Sequence, residues 1–197
     1  MRVTVFDYGA GNLHSLAKAL AAPDVVVCIE ADPVAALDTD VLVLPGVGAF
    51  SAAAERLAPG RRQMRDALER GLPCLGVCLG MQLLFDSSDE GEGAGLGVIE
   101  GRVTRVRAQR LPHIGWNTVD DTRDPLFVAA ELTDVYYAHS YVCRATTPDA
   151  VTAWTSVESD RFAAAVRRGN TVGVQFHPEK SSAAGVRFVR AFIASQS

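Results

Sequence analysis

Four short apolar runs punctuate the first half of the chain: Val3 to Phe6, Val25 to Ile29, Val41 to Leu44 and Cys74 to Val77. They are rich in β-branched residues and continuous rather than alternating, the pattern of strands covered on both faces. Between them, apolar positions recur at helical spacing from Leu13 to Ala21. They do so again through an Ala-, Arg- and Leu-rich stretch from about Ala52 to Arg70, which Gly71 and Pro73 stop. This alternation predicts an α/β fold with a mainly parallel sheet and helices on both faces.

The second half changes character. Gly91 to Gly97 reads as a flexible, acidic connection, and the runs that follow are shorter and less regular: Gly101 to Val106, Val135 to Tyr137, Thr152 to Ser156, Phe162 to Arg167 and Thr171 to Phe176. Gly169-Asn170 fits a tight hairpin turn between the last two. A mostly apolar stripe of Val186, Val189 and Ile193 predicts a closing helix from about Ala183 to Ile193. With 197 residues and neither an internal repeat nor a low-complexity linker, a single domain over residues 1–197 is expected.

Charge narrows the classes of partner. The 19 Lys and Arg are scattered among 23 Asp and Glu, for a formal net charge of −4, so no extended nucleic-acid or membrane surface is expected. No stretch approaches the length of a spanning helix, and the N-terminus lacks a signal-peptide profile. Cys28, Cys74, Cys78 and Cys143 have no zinc-site spacing and a core this size needs no disulfide. A cytoplasmic protein without a metal or cofactor is the expectation.

Cys78 stands apart from the other cysteines, which read as core. The apolar run from Cys74 ends in Gly76-Val77-Cys78-Leu79-Gly80, and a helical pattern follows through Phe85. Glycines on both sides permit a sharp strand-to-helix turn that puts the central side chain at its tip, in a strained backbone conformation. The Leu79 N–H would face an oxyanion formed by attack from the sulfur.

A second strand runs out at Val172-Gly173-Val174-Gln175-Phe176 into His177-Pro178-Glu179. Pro178 stiffens the turn, so that His177 and Glu179 can share a side, with the carboxylate orienting an imidazole whose other nitrogen faces a thiol. Taken alone the turn could equally be a capped surface loop. Likewise Pro45-Gly46-Val47-Gly48-Ala49-Phe50 is either an ordinary turn or a loop able to swing an N–H toward an anion; it lacks the residues of a phosphate-binding loop.

Together these motifs carry a resemblance. Gly-Val-Cys-Leu-Gly-Met-Gln (76–82) and His-Pro-Glu-Lys-Ser (177–181) resemble those of the class I, or triad, glutamine amidotransferases. Tyr-Gly-Ala-Gly-Asn (8–12), Pro45 to Phe50, Pro-His-Ile-Gly-Trp-Asn (112–117) and Tyr-Tyr-Ala-His-Ser-Tyr (136–141) look like the glutaminase subunits of imidazole glycerol phosphate synthase, an enzyme of histidine biosynthesis. The resemblance implies a flavodoxin-like, largely parallel sheet with added antiparallel strands in the second half. It implies a catalytic triad of Cys78, His177 and Glu179, with Leu79 and Val47 as oxyanion donors once the glycine loop flips. Gly48, Gln82 and the segment His139, Ser140 and Tyr141 would hold glutamine. Asn12, Trp116, Asn117, Tyr136 and Lys180 would lie at or near the face that docks on a (β/α)8-barrel cyclase subunit. Ile114 stands where the family often has methionine, a swap between medium-sized apolar side chains.

Overall fold

A computed structural model of the protein describes residues 1–9, 11 and 13–196. Strands β1 (Arg2–Phe6), β2 (Val26–Glu30), β3 (Val41–Leu44) and β4 (Cys74–Val77) form in the order the apolar runs predict, with α1 (Leu13–Leu20) between the first two. The helical stretch after β3 is not one helix. It is α2 (Phe50–Leu57), a 3-10 turn at Ala58–Gly60, and α3 (Arg61–Glu69). Pro59 has no N–H to continue the ladder, and Gly60 packs so closely on Pro33 that a Cβ there would lie 2.8 Å from the proline ring.

Beyond β4 come α4 (Leu79–Leu83), the two-residue β5 (Ser87–Ser88), β6 (Gly101–Arg105), β7 (His113–Thr118), α5 (Pro125–Ala130), β8 (Asp134–His139) and β9 (Tyr141–Ala145). The chain closes with β10 (Val151–Val157), β11 (Asp160–Arg168), β12 (Thr171–Val174) and α6 (Ser182–Ala194). The main sheet runs β10-β11-β12-β4-β3-β1-β2. All neighbours from β12 to β2 are parallel, whereas β10 and β11 are antiparallel additions. The expected hairpin turn at Gly169-Asn170 joins β11 to β12, with Arg168 paired to Thr171.

Period-two alternation divides the core. Val41 and Val43 of β3 face the cluster containing Leu16 and Leu20 of α1 and Phe188 and Phe192 of α6. Leu42 and Leu44 face the cluster of Phe50, Leu57, Met64 and Leu68 from α2 and α3. The expectation that the early strands are covered on both faces fails at β2: it is the sheet edge, and Val26 and Ile29 are 64% and 54% exposed.

The segment from Gly91 to Gly97 is likewise not a free connection. Its backbone returns to the end of α4, with Leu96 N–H donating to the Leu83 carbonyl at 2.7 Å and Gly97 N–H to that of Phe85 at 3.2 Å. Leu96, Val98 and Ile99 are buried in the second cluster, and this burial, invisible as periodicity, holds the loop. Two small sheets, β5-β6-β9 and β7-β8, lie beside the main one and place β8 and β9 against the carboxyl ends of β3, β4 and β12.

Candidate active site

Parallel strands β3, β4 and β12 end side by side, and each hands its last residues to the same cleft. Cys78 follows β4 with φ 48° and ψ −102°, a conformation costly for a residue with a Cβ. Close packing holds it there. The Cys78 N–H donates to the Val174 carbonyl of β12 at 2.7 Å, and a Cβ on Gly80 would run into the Leu44 carbonyl oxygen of β3. Only glycine lets the first turn of α4 approach β3 so closely.

His177 sits beyond the end of β12, almost fully buried, its N–H donating to the Tyr136 carbonyl of β8 at 2.8 Å. Its Nδ1–H donates to Glu179 Oε1 at 2.9 Å. That contact fixes the tautomer and leaves Nε2, which is buried without an aligned hydrogen-bond partner among the described residues. Burial by itself would lower the His177 pKa; the Cys78 thiol and the Glu179 carboxylate outweigh it and raise it to about 9. Thiol and imidazole are thus electrically coupled before substrate aligns them, as is common in unliganded nucleophile–base pairs.

A cavity of about 260 Å³ opens beside Cys78. It is lined by the glycine loop at Gly46, Val47 and Gly48, by Leu79 and Gln82 of α4, and by His139, Ser140 and Tyr141 from the β8–β9 junction. Gly48, Gln82, His139, Ser140 and Tyr141, the positions expected to hold substrate, line the same cavity as Cys78. Glu90 also lines the cavity and was not singled out in the sequence. One of its oxygens accepts from the Phe50 N–H at 3.1 Å, capping α2, and its carboxylate brings negative charge to the cleft. A larger cleft, about 570 Å³ around Arg107 and Glu158, is lined by neither cysteine nor histidine.

The cavity wall rests on a histidine relay. A carbonyl can only accept, so the 3.1 Å contact between His139 Nδ1 and the Tyr141 oxygen puts the proton on Nδ1. Neutral His139 then accepts from His113 Nδ1–H at 3.1 Å, while Gln82 Nε2 donates to the same Tyr141 oxygen, also at 3.1 Å. Burial, reinforced by His113, lowers the His139 pKa to about 3. Between that value and the ordinary 6.5 the unfolded chain binds more protons, so this contribution is present above about pH 6.5 and is lost as pH falls. Urea melts should show stability dropping by roughly 1.5 kcal/mol from pH ~6.5 to pH ~5, and His139→Gln should flatten this limb. An unaltered limb in the variant would contradict the relay.

The two N–H groups expected as oxyanion donors, those of Leu79 and Val47, do not converge on one point. The Leu79 N–H points at the Gly46 carbonyl at 3.5 Å. A trans peptide holds C=O and N–H antiparallel, so the Val47 N–H of that same peptide faces away from Leu79. The residues expected at a docking face cluster elsewhere on the rim. Trp116 of β7 is 56% exposed and meets Tyr136 of β8 edge-on, and the Lys180 ammonium lies 5.8 Å from the centre of the Tyr136 ring. Asn117 turns inward to the Ser156 carbonyl at 2.9 Å, and Asn12 lies outside the described residues.

A cysteine at a tight strand-to-helix turn, a carboxylate-oriented histidine and a small polar cavity are the parts that thiol amidohydrolase chemistry requires. The sequence profile of class I glutamine amidotransferases matches residues 4–194. The chain belongs to the class I glutamine amidotransferases. Relatives within this family include the imidazole glycerol phosphate synthase subunit HisH of Halobacterium salinarum, 42% identical over 97% of this chain and 92% of its own length. The HisH subunit of Symbiobacterium thermophilum is 44% identical over 95% and 91% respectively. Among solved structures, one described as a glutamine amidotransferase superposes with a TM-score of 0.77 over 98% of both chains at 20% identity, a likeness of fold. The amidotransferase fold expected from the motifs is thus the one observed, antiparallel additions included.

Proposed function

We propose that this amidotransferase hydrolyses glutamine to glutamate and ammonia and passes the ammonia to a (β/α)8-barrel cyclase subunit. The cyclase would form imidazole glycerol phosphate and an aminoimidazole carboxamide ribotide in histidine biosynthesis. The observation that carries the chemistry is Cys78, held at φ 48° beside a His177 whose Nδ1 is tied to Glu179, at the edge of an amino-acid-sized cavity. The HisH relatives, matched over nearly their full length, support the choice of acceptor.

The Cys78 thiol first gives its proton to His177 Nε2. The sulfur adds to the glutamine Cδ, and the carbonyl oxygen becomes an oxyanion that the Leu79 N–H and, once the Gly46–Val47 peptide turns over, the Val47 N–H would receive. His177 returns the proton to the leaving nitrogen, the C–N bond breaks, and ammonia departs from a γ-glutamyl thioester. Water, deprotonated by His177, then releases glutamate and restores the thiol. Glu179 stays ionised and holds the ring, while Glu90 suits the ammonium group of an α-amino acid and Gln82 its polar backbone atoms.

The rim bearing Trp116, Tyr136 and Lys180, with Ile114 also 61% exposed, has the aromatic and apolar character of a docking patch. Ammonia released into bulk water at neutral pH would become ammonium and lose its nucleophilicity, which favours direct transfer across that face. Four unbridged cysteines suit a reducing cytoplasm. Reconstitution tests the assignment: the purified chain mixed with the cyclase should support glutamine-dependent formation of imidazole glycerol phosphate. Glutamate release without that product would leave a glutaminase serving another acceptor.

A further inference from the structure

Gln175, the first residue beyond β12, is fully buried and has no part in the reaction as derived above. Its N–H donates to the Ala164 carbonyl at 2.9 Å, and its side-chain Nε2 donates to the Cys78 sulfur at 3.5 Å. The residue before it, Val174, takes the Cys78 N–H on its carbonyl. Two consecutive residues of β12 and its extension therefore grip the nucleophile, one by its backbone and one by its sulfur.

The amide is an expensive filler for this space. Its Oε1 is buried and finds no hydrogen-bond partner among the described residues, and a buried polar atom left unpaired is unfavourable where methionine would occupy a similar volume. What distinguishes Gln175 from methionine is the N–H aimed at sulfur. A thiol is a weak acceptor and a thiolate a strong one, so that contact gains most when the proton has left.

Other titratable groups near the sulfur do not substitute for it. They are His177 after β12, Tyr8 in the loop after β1, and Cys143 on β9. Burial keeps Tyr8 and Cys143 protonated, so neither brings positive charge. His177 supplies the cation and takes the thiol proton; Gln175 supplies a neutral donor on the same sulfur.

We infer that Gln175 is a catalytic residue whose Nε2–H group holds the Cys78 sulfur and stabilises it as thiolate, both before attack and when the thioester is hydrolysed. The inference rests on the reading of Cys78 as nucleophile. No oxidant is involved: the proton moves from sulfur to His177 Nε2 and on to the leaving nitrogen, and the water that hydrolyses the thioester restores one to the sulfur through His177.

Alkylation by iodoacetamide, followed at the Cys78 peptide by mass spectrometry across pH, tests it on the intact chain without requiring a formed oxyanion hole. Gln175→Met should slow alkylation at neutral pH by about tenfold and displace the rate profile upward by about one pH unit. Gln175→Glu, which places a carboxylate against the sulfur, should displace it further. Circular dichroism and the melting temperature report whether each variant keeps its fold. Folded variants that alkylate at the wild-type rate with the wild-type profile would overturn the inference, as would failure of both to fold, which would make Gln175 structural. A wild-type Cys78 no more reactive than the partly exposed Cys28 would overturn the nucleophile reading itself.

Discussion

Replacing Cys78 by alanine should reduce glutamine-dependent turnover by at least about 10⁴-fold, because the other groups of a nucleophile–base unit contribute little once the nucleophile is gone. The loss should be confined to glutamine. Cys78 is an element tip with its side chain at the cavity edge, and alanine keeps the backbone hydrogen bond to Val174. A complex with the cyclase should therefore still turn over when ammonium salt replaces glutamine. Ammonium-supported synthesis that disappeared with the thiol would mean that Cys78 also holds the docking face together.

The second large effect concerns the chain without its partner. One proposed oxyanion donor, Leu79 N–H, is engaged by the Gly46 carbonyl, and the other, Val47 N–H, belongs to the same peptide as that carbonyl. Rotating the Gly46–Val47 peptide exchanges the two: the carbonyl leaves and the N–H arrives. A missing oxyanion donor typically costs 10²- to 10³-fold in kcat, so the isolated chain should release glutamate about that much more slowly than the complex. Steady-state glutaminase assays with and without the cyclase check this, and equal rates would show that the donor is already available. Gly46→Ala gives an independent handle. A Cβ there would lie 3.0 Å from the His177 Cε1 atom and 3.1 Å from a Val77 methyl, so the variant should lose stimulation even with the partner bound.

Much of this was readable from residue order, for definite reasons. Buried parallel strands have continuous apolar runs, so β1, β3 and β4 stood out, and the paired glycines around Cys78 announced a turn that the structure holds at positive φ. His177-Pro178-Glu179 is ambiguous alone; Cys78, far earlier in the chain, gives it a thiol partner, and the resemblance then implies that the three act as a triad. Elements whose stability is tertiary were missed. β7 alternates half-buried and exposed residues without a strong apolar set, and β9 (Tyr-Val-Cys-Arg-Ala) is interrupted by Arg144.

Helix α5 was missed although it carried a local signal. Asp124 caps it by accepting from the Leu126 N–H at 3.0 Å, and Pro125 occupies its first turn, the usual start of a helix. Asp124 is also paired with Arg167 of β11 at 2.6 Å, which the sequence could not suggest. Glu90 reaches the cleft from an acidic, glycine-rich stretch with no motif around it, whereas Gln175 stands inside the motif that ends in His177 and reads there as one more residue of a buried strand.

The most direct test of the central claim is to trap the acyl enzyme. The cyclase complex turning over isotopically labelled glutamine should be quenched in acid, digested and mapped by mass spectrometry. The Cys78 peptide should carry a γ-glutamyl group. That adduct should vanish in Cys78→Ala and accumulate poorly in His177→Asn. A γ-glutamyl group on another residue, or full glutaminase turnover by Cys78→Ala, would contradict the mechanism.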